Sequence, residues 1–123
     1  MRGRKIQGLI AAPLAPFLPD GTVNLEIIPR QAAWLHENGV VGAFVNGSTG
    51  EGLSLTVEER RAVAERWVNA APAGFKIIVH VAHPSARSAW ELASHAAQIG
   101  ANAIAEIGPV VFRPRNVEAL VEH

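Results

Sequence analysis

The sequence predicts an α/β fold of four parallel strand–helix units, and three observations carry the prediction. Short apolar runs rich in β-branched residues alternate with segments whose apolar residues recur at helical spacing. Glycine, proline and helix-capping residues punctuate almost every junction between the two kinds of segment. No linker, repeat or low-complexity stretch interrupts the alternation. Continuously apolar strands between amphipathic helices belong to a parallel sheet with helical cover. Such strands, joined by right-handed crossovers, curve into a barrel or form an open sheet. An eight-fold barrel takes about 250 residues. At 123 residues this chain is about half of one.

The elements follow in order. Ile6 to Ala12 reads as a buried strand stopped by Pro13 and Pro16, and Pro19-Asp20-Gly21-Thr22 as a turn. Asn24 is a candidate cap for a first helix carrying Ile28, Ala32 and Leu35. Pro29 falls early in that helix, where its missing N–H costs least, and Gly39 closes it. Val40 to Val45 is the second strand. Thr56 and Glu59 form a capping box for a second helix with Val63, Ala64, Trp67, Val68 and Ala71 on its apolar face. Arg60, Arg61, Glu65 and Arg66 are expected on its wet face. Lys76 to Val81 is a third strand, and Ser85 caps a third helix carrying Ala89, Leu92, Ala93, Ala96 and Ile99. Ala103 to Ile107 is a fourth strand, Gly108-Pro109 a loop, and Asn116 the cap of a last helix running to His123. Residues 1–123 are thus expected to form a single, partial barrel-like domain.

Composition limits the function classes. Hydrophobic residues at 49% and charged residues at 18% fit a globular chain, without the bias of a disordered one. A net charge of zero gives no electrostatic reason to expect nucleic acid or an anionic membrane as partner. Absence of cysteine excludes disulfides and thiolate metal sites. Met1-Arg2-Gly3-Arg4-Lys5 followed by Leu9 to Ala12 faintly resembles a signal peptide, but Pro13 and Pro16 interrupt the apolar run. No stretch approaches the roughly 20 apolar residues of a membrane span. The expectation is a soluble, cytoplasmic protein.

The candidate chemistry centres on Val45-Asn46-Gly47-Ser48-Thr49-Gly50-Glu51-Gly52, where the second strand gives way to the second helix. Ligands of α/β folds bind outside the carboxyl ends of parallel strands, where such loops converge. Glycines let backbone approach a ligand, and Ser48 and Thr49 bring hydroxyls and N–H groups suited to a carboxylate or a phosphate. A plain strand–helix turn is the competing reading. No Gly-Lys-Ser/Thr follows, so the loop is not a Walker A motif, and its glycine spacing is not that of a dinucleotide fingerprint. Glu51 is a candidate acid or base, but a carboxylate beside a tight turn is better read as an acceptor of backbone N–H groups.

His80 and His83 lack a convincing third metal ligand, so no metal is expected and His80 is placed near the mouth of the site, hydrogen-bonded. His36 and His95 read as surface or helix–helix contacts. Trp34, Trp67 and Trp90, one per helix, read as packing anchors. Glu58-Glu59-Arg60-Arg61 and Arg113-Pro114-Arg115 read as solvated charge.

Gln7-Gly8-Leu9-Ile10-Ala11-Ala12, Val45-Asn46-Gly47-Ser48-Thr49-Gly50-Glu51-Gly52-Leu53-Ser54-Leu55-Thr56, Glu58 to Arg61, Ile77-Ile78-Val79-His80-Val81 and Ile99 to Ala105 resemble the dihydrodipicolinate synthase and N-acetylneuraminate lyase family of class I pyruvate aldolases. The resemblance runs from Gln7 onward, covers only the N-terminal half of that family, and implies half of a TIM (β/α)8 barrel. His80 matches the lyase branch, since the synthases tend to carry glycine there.

The implied activity is cleavage of N-acetylneuraminate or a related sugar acid to pyruvate and an aldehyde, through a lysine Schiff base and without metal or organic cofactor. Alternatives are a synthase-type condensation of pyruvate with an aldehyde, or a non-catalytic half-barrel assembly module. By the same resemblance Ser48 and Thr49 bind the substrate carboxylate, and Thr49 also joins a proton relay. The Schiff-base lysine and its tyrosine belong to strands beyond His123. Tyrosine is absent, and the only lysines, Lys5 and Lys76, belong at the opposite end of the strands. Val110-Val111-Phe112 stands where synthases use a tyrosine. A small-molecule substrate and a homo-oligomer, tetrameric in the full-length family, complete the implication, and the isolated chain is expected to be inactive.

Overall fold

The computed structural model describes residues 5–109 and 114–121. Four strands, β1 (Ile10–Ala11), β2 (Gly42–Val45), β3 (Lys76–His80) and β4 (Ala103–Ala105), lie side by side in sequence order, all parallel. Between them run α1 (Ile28–Glu37), α2 (Val57–Ala70) and α3 (Ala86–Gln98), with a short α4 (Val117–Val121) after β4. This is the expected half-barrel topology.

The helix boundaries follow local chemistry. The Asn24 side chain accepts from the Glu26 N–H at 3.2 Å and starts a 3₁₀ turn, Leu25–Ile27, that leads into α1 with Pro29 in its first turn. Gly39 ends that helix at φ 80°, a left-handed conformation that penalises a Cβ. Thr56 and Glu59 close a reciprocal capping box at α2, with N···O distances of 3.1 and 2.8 Å. Ser85 caps α3, and Asn116 accepts from the Ala119 N–H at 2.9 Å.

The outer strands are shorter than their apolar runs. Ile6 to Leu9 stays outside the ladder apart from the Leu9 carbonyl, which accepts from Val41 N–H, and Gly8 turns the chain at φ 110°. Strand β4 stops at Ala105 because its partner β3 ends at His80. Met1 to Arg4, Val110-Val111-Phe112, Arg113 and the last two residues lie outside the described region.

Register assigns the two faces of the sheet, because side chains alternate along each strand. Ala43, Val45, Ile77 and Val79 face the helices and form the core with Ile28, Ala32, Val63, Ala64, Trp67, Leu92 and Ala96. Phe44, Ile78 and Ala103 share the opposite face, as do His80 and Ala105.

Two expectations about side chains are corrected here. Trp67 is 1% exposed, but Trp34 and Trp90 are 62% and 75% exposed and anchor nothing. Helix α2 is packed on both sides, by α1 and by α3, and these are the most extensive helix–helix contacts among the described residues. Arg60, expected in water, is 0% exposed.

Candidate functional site

Strand β2 delivers its chain to the C-terminal end of the sheet at Val45, beside Val79 of β3. There Asn46 takes a left-handed conformation, φ 61°, and the backbone turns away from the strand direction. Two bonds close the loop, from Glu51 N–H to Ser48 O and from Gly52 N–H to Gly47 O, each 3.1 Å. A 3₁₀ turn, Gly52–Ser54, then leads to the α2 cap.

The glycines serve close approach here. A Cβ on Gly52 would collide with the Asn46 carbonyl, and one on Gly50 would press on the Pro13 carbonyl oxygen at 3.2 Å. Positive φ in the loop falls to Asn46 and Glu51, and Gly50 does not carry it. Asn46 is a residue that tolerates this region, but Glu51 at φ 53° is strained. Its carboxylate takes no hydrogen bond among the described residues, which corrects its reading as an acceptor of backbone N–H groups.

Ser48 and Thr49 lie at the crest of the loop, both exposed, and neither hydroxyl is engaged within the described residues. Between them they offer two hydroxyls to an incoming anion. Lys76 pairs with Gly42 at the other end of β3, and Lys5 precedes β1, so both lysines are remote from this loop.

His80 closes β3 at the same end of the sheet as the loop. It is buried, its ring tilted against Phe44 at 5.9 Å between centroids, and its Nδ1 has no partner among the described residues. Burial first, and the nearby Arg60 guanidinium second, hold its pKa below the ordinary histidine value, with Asn46 backbone and Glu106 pulling the other way. His83 Nδ1 accepts the Ser85 N–H at 2.9 Å. No cluster of potential metal ligands occurs among the described residues.

Arg60 is the residue that sequence reasoning missed. Its guanidinium donates to the Ala82 carbonyl at 2.9 Å and the His80 carbonyl at 2.7 Å. Its own carbonyl accepts from Asn46 Nδ2 at 2.8 Å. The signal was present in the spacing: position 60 lies one turn before Val63 and Ala64 and two turns before Trp67, and shares their stripe. Beyond the loop a groove of about 970 Å³ runs along α3 and β4, lined by Leu53, Trp90, Ile104 and Ile107 among others.

The profile of the Dihydrodipicolinate synthetase family matches residues 5–123. The chain belongs to that family. N-acetylneuraminate lyase of Mus musculus is 44% identical over 120 residues, which are 96% of this chain and 38% of the mouse protein. The solved N-acetylneuraminate lyase of Proteus mirabilis superposes with a TM-score of 0.92 at 46% identity, over 97% of this chain and 40% of that one. A dihydrodipicolinate synthase from Rhodopseudomonas palustris gives 0.80 at 30%, over 87% of this chain and 35% of that one. The chain therefore spans about two fifths of the length of the family members it matches. No helix among the described residues is long and apolar enough to cross a membrane.

Proposed function

We propose that this chain is the carboxylate-binding first half of a pyruvate-dependent class I aldolase that cleaves N-acetylneuraminate or a related sugar acid. The observation that carries the reading is the loop at the end of β2. It lifts two unengaged hydroxyls, Ser48 and Thr49, out of the C-terminal end of a parallel sheet, in a chain of this family. Identities of 44% to the mouse lyase and 46% to the Proteus mirabilis lyase, against 30% to the Rhodopseudomonas palustris synthase, support the lyase branch over the condensation alternative.

In this reading the hydroxyls and N–H groups of Ser48 and Thr49 hold the carboxylate of the keto acid. A lysine from the remainder of the barrel condenses with the ketone and releases water. The protonated imine then accepts the electron pair of the adjacent carbon–carbon bond as that bond breaks, giving an enamine and the aldehyde. Thr49 helps pass on the hydroxyl proton that the departing aldehyde gives up. Neither lysine of this chain is placed to form the imine. A cytoplasmic homo-oligomer belongs to the same proposal.

The test joins this chain to the C-terminal remainder of the Proteus mirabilis lyase to complete a barrel. Borohydride and labelled pyruvate should label the complete barrel stoichiometrically and leave the 123-residue chain unlabelled. The complete barrel should release pyruvate from N-acetylneuraminate. Labelling of the chain alone at Lys76, or an imine without cleavage of any sugar acid, would overturn the assignment.

A further inference from the structure

We infer that Arg60 is a positioning residue that aims the Gly47–Gly52 loop, a role that deepens the carboxylate-binding reading and rests on it for the identity of the ligand. A guanidinium with no exposed surface is costly to desolvate unless its donors find acceptors. Two of its nitrogens reach the carbonyls of His80 and Ala82, where β3 ends and the connection to α3 begins. Burial pulls its pKa down, yet an arginine stays charged, so the site holds a fixed cation.

The backbone of the same residue acts in the other direction. Its carbonyl takes Asn46 Nδ2, and Asn46 is the residue whose left-handed conformation starts the loop. Gly52 packs so closely over the Asn46 carbonyl that no Cβ fits between them. Movement of Asn46 therefore moves both ends of the loop. One residue thus ties the first turn of α2 to the end of β3 and to the start of the loop after β2. Both hydroxyl-bearing residues lie between Asn46 and Gly52, and neither is hydrogen-bonded to Arg60 among the described residues. Arg60 acts on a ligand only through where it holds them.

The alternative is that Arg60 merely stabilises α2. A core truncation one turn along the same stripe separates the two, since Val63 is buried and makes no polar contact with the loop. The experiment uses the complete barrel carrying Arg60→Met, Arg60→Lys, Asn46→Gly or Val63→Ala. It reads amide hydrogen exchange at Glu51 and Gly52, and the pyruvate KM separately from kcat. Arg60→Met should speed exchange at both amides and raise the KM about tenfold, the size of one lost hydrogen bond to a charged group. Val63→Ala should lower the melting temperature and change neither. Arg60→Lys should recover part of both effects, because an ammonium keeps the charge but cannot fork across two carbonyls. Asn46→Gly tolerates the left-handed φ but loses the clasp, and should fall between. If Arg60→Met does not fold, Arg60→Lys against Val63→Ala decides the point. Equal exchange in the arginine and valine variants would overturn the positioning role. Faster loop exchange with an unchanged pyruvate KM would keep that role and sink the carboxylate reading instead.

Discussion

The middle of this molecule and its two flanks are built from the same sequence pattern and end in opposite states. Helix α2 between β2 and β3 buries Trp67 and Arg60 almost completely. Helix α1 leaves Trp34 on a groove of about 580 Å³ with Leu14 and Ile27, and α3 leaves Trp90 on the larger groove with Ile104 and Ile107. Apolar residues recur at helical spacing in all three helices, and α2, the best buried of them, is the least amphipathic. What differs is the packing: among the described residues α2 is packed extensively by a helix on each side, and α1 and α3 each by α2. A tryptophan on the right stripe is buried only when something packs against that stripe. The polar loop is carried by the completed middle, and the apolar surface is left on the unfinished sides.

The largest expected effect sharpens that contrast. Trp67→Ala should cost about 3–5 kcal/mol by chemical denaturation, because it opens a large cavity in the core. A cost below about 1 kcal/mol would show that the middle unit is not packed as described.

Gly52→Ala should cost about 1–3 kcal/mol, since a Cβ there displaces the Asn46 carbonyl. Gly50→Ala should cost less than Gly52→Ala, because that position lacks positive φ and its tightest backbone contact is at 3.2 Å. An inverted order, measured the same way, would mean that the loop backbone is held differently.

The pH dependence probes the same buried end. His80 and His95 both have folded pKa values below the ordinary 6.5, first because of burial and second because of Arg60 and Arg61 respectively. The unfolded chain therefore binds these protons before the folded one does. Their contribution to stability is complete above about pH 6.5 and is lost as pH falls toward the folded values. Thermal melts between neutral pH and about pH 5 should show this slope, reduced in His80→Gln by the share that His80 carries. An identical slope in wild type and His80→Gln would contradict its buried, neutral state.

The smallest effect belongs to the flanks. Trp34→Ala and Trp90→Ala should each change the stability of the chain by about 0.5 kcal/mol or less. In the complete barrel the same substitutions should cost more if the added half covers these grooves. Equal costs in both settings would leave the grooves uncovered.

Much of the fold was legible because its signals are local. Thr56 with Glu59, Pro29 near the start of α1, Gly39 at its end and the β-branched run before His80 each name their structure within a few residues. The glycine loop was legible for the same reason. What was not legible depends on distant partners. Glu58-Glu59-Arg60-Arg61 looks like a solvated run, and three of its members do stay near the surface. Only the carbonyls of His80 and Ala82, some 20 residues on, make a buried place for Arg60. The outer tryptophans failed for the converse reason, since spacing announces a packing stripe but not the neighbour that must cover it. Strain at Glu51 left no trace in its residue type, which is uncommon at positive φ.

The central claim is that Ser48 and Thr49 form an anion site held out by a rigid loop, and Thr49→Val in the complete barrel tests it most directly. The substitution keeps the shape of the side chain and removes its hydroxyl. The measurement is pyruvate binding beside the melting temperature of the same sample. Pyruvate should bind about ten- to a hundredfold more weakly, as expected for a lost hydrogen bond to a charged group, with the melting temperature nearly unchanged. Undiminished pyruvate binding, with a lowered melting temperature, would make the loop a structural turn and contradict the account.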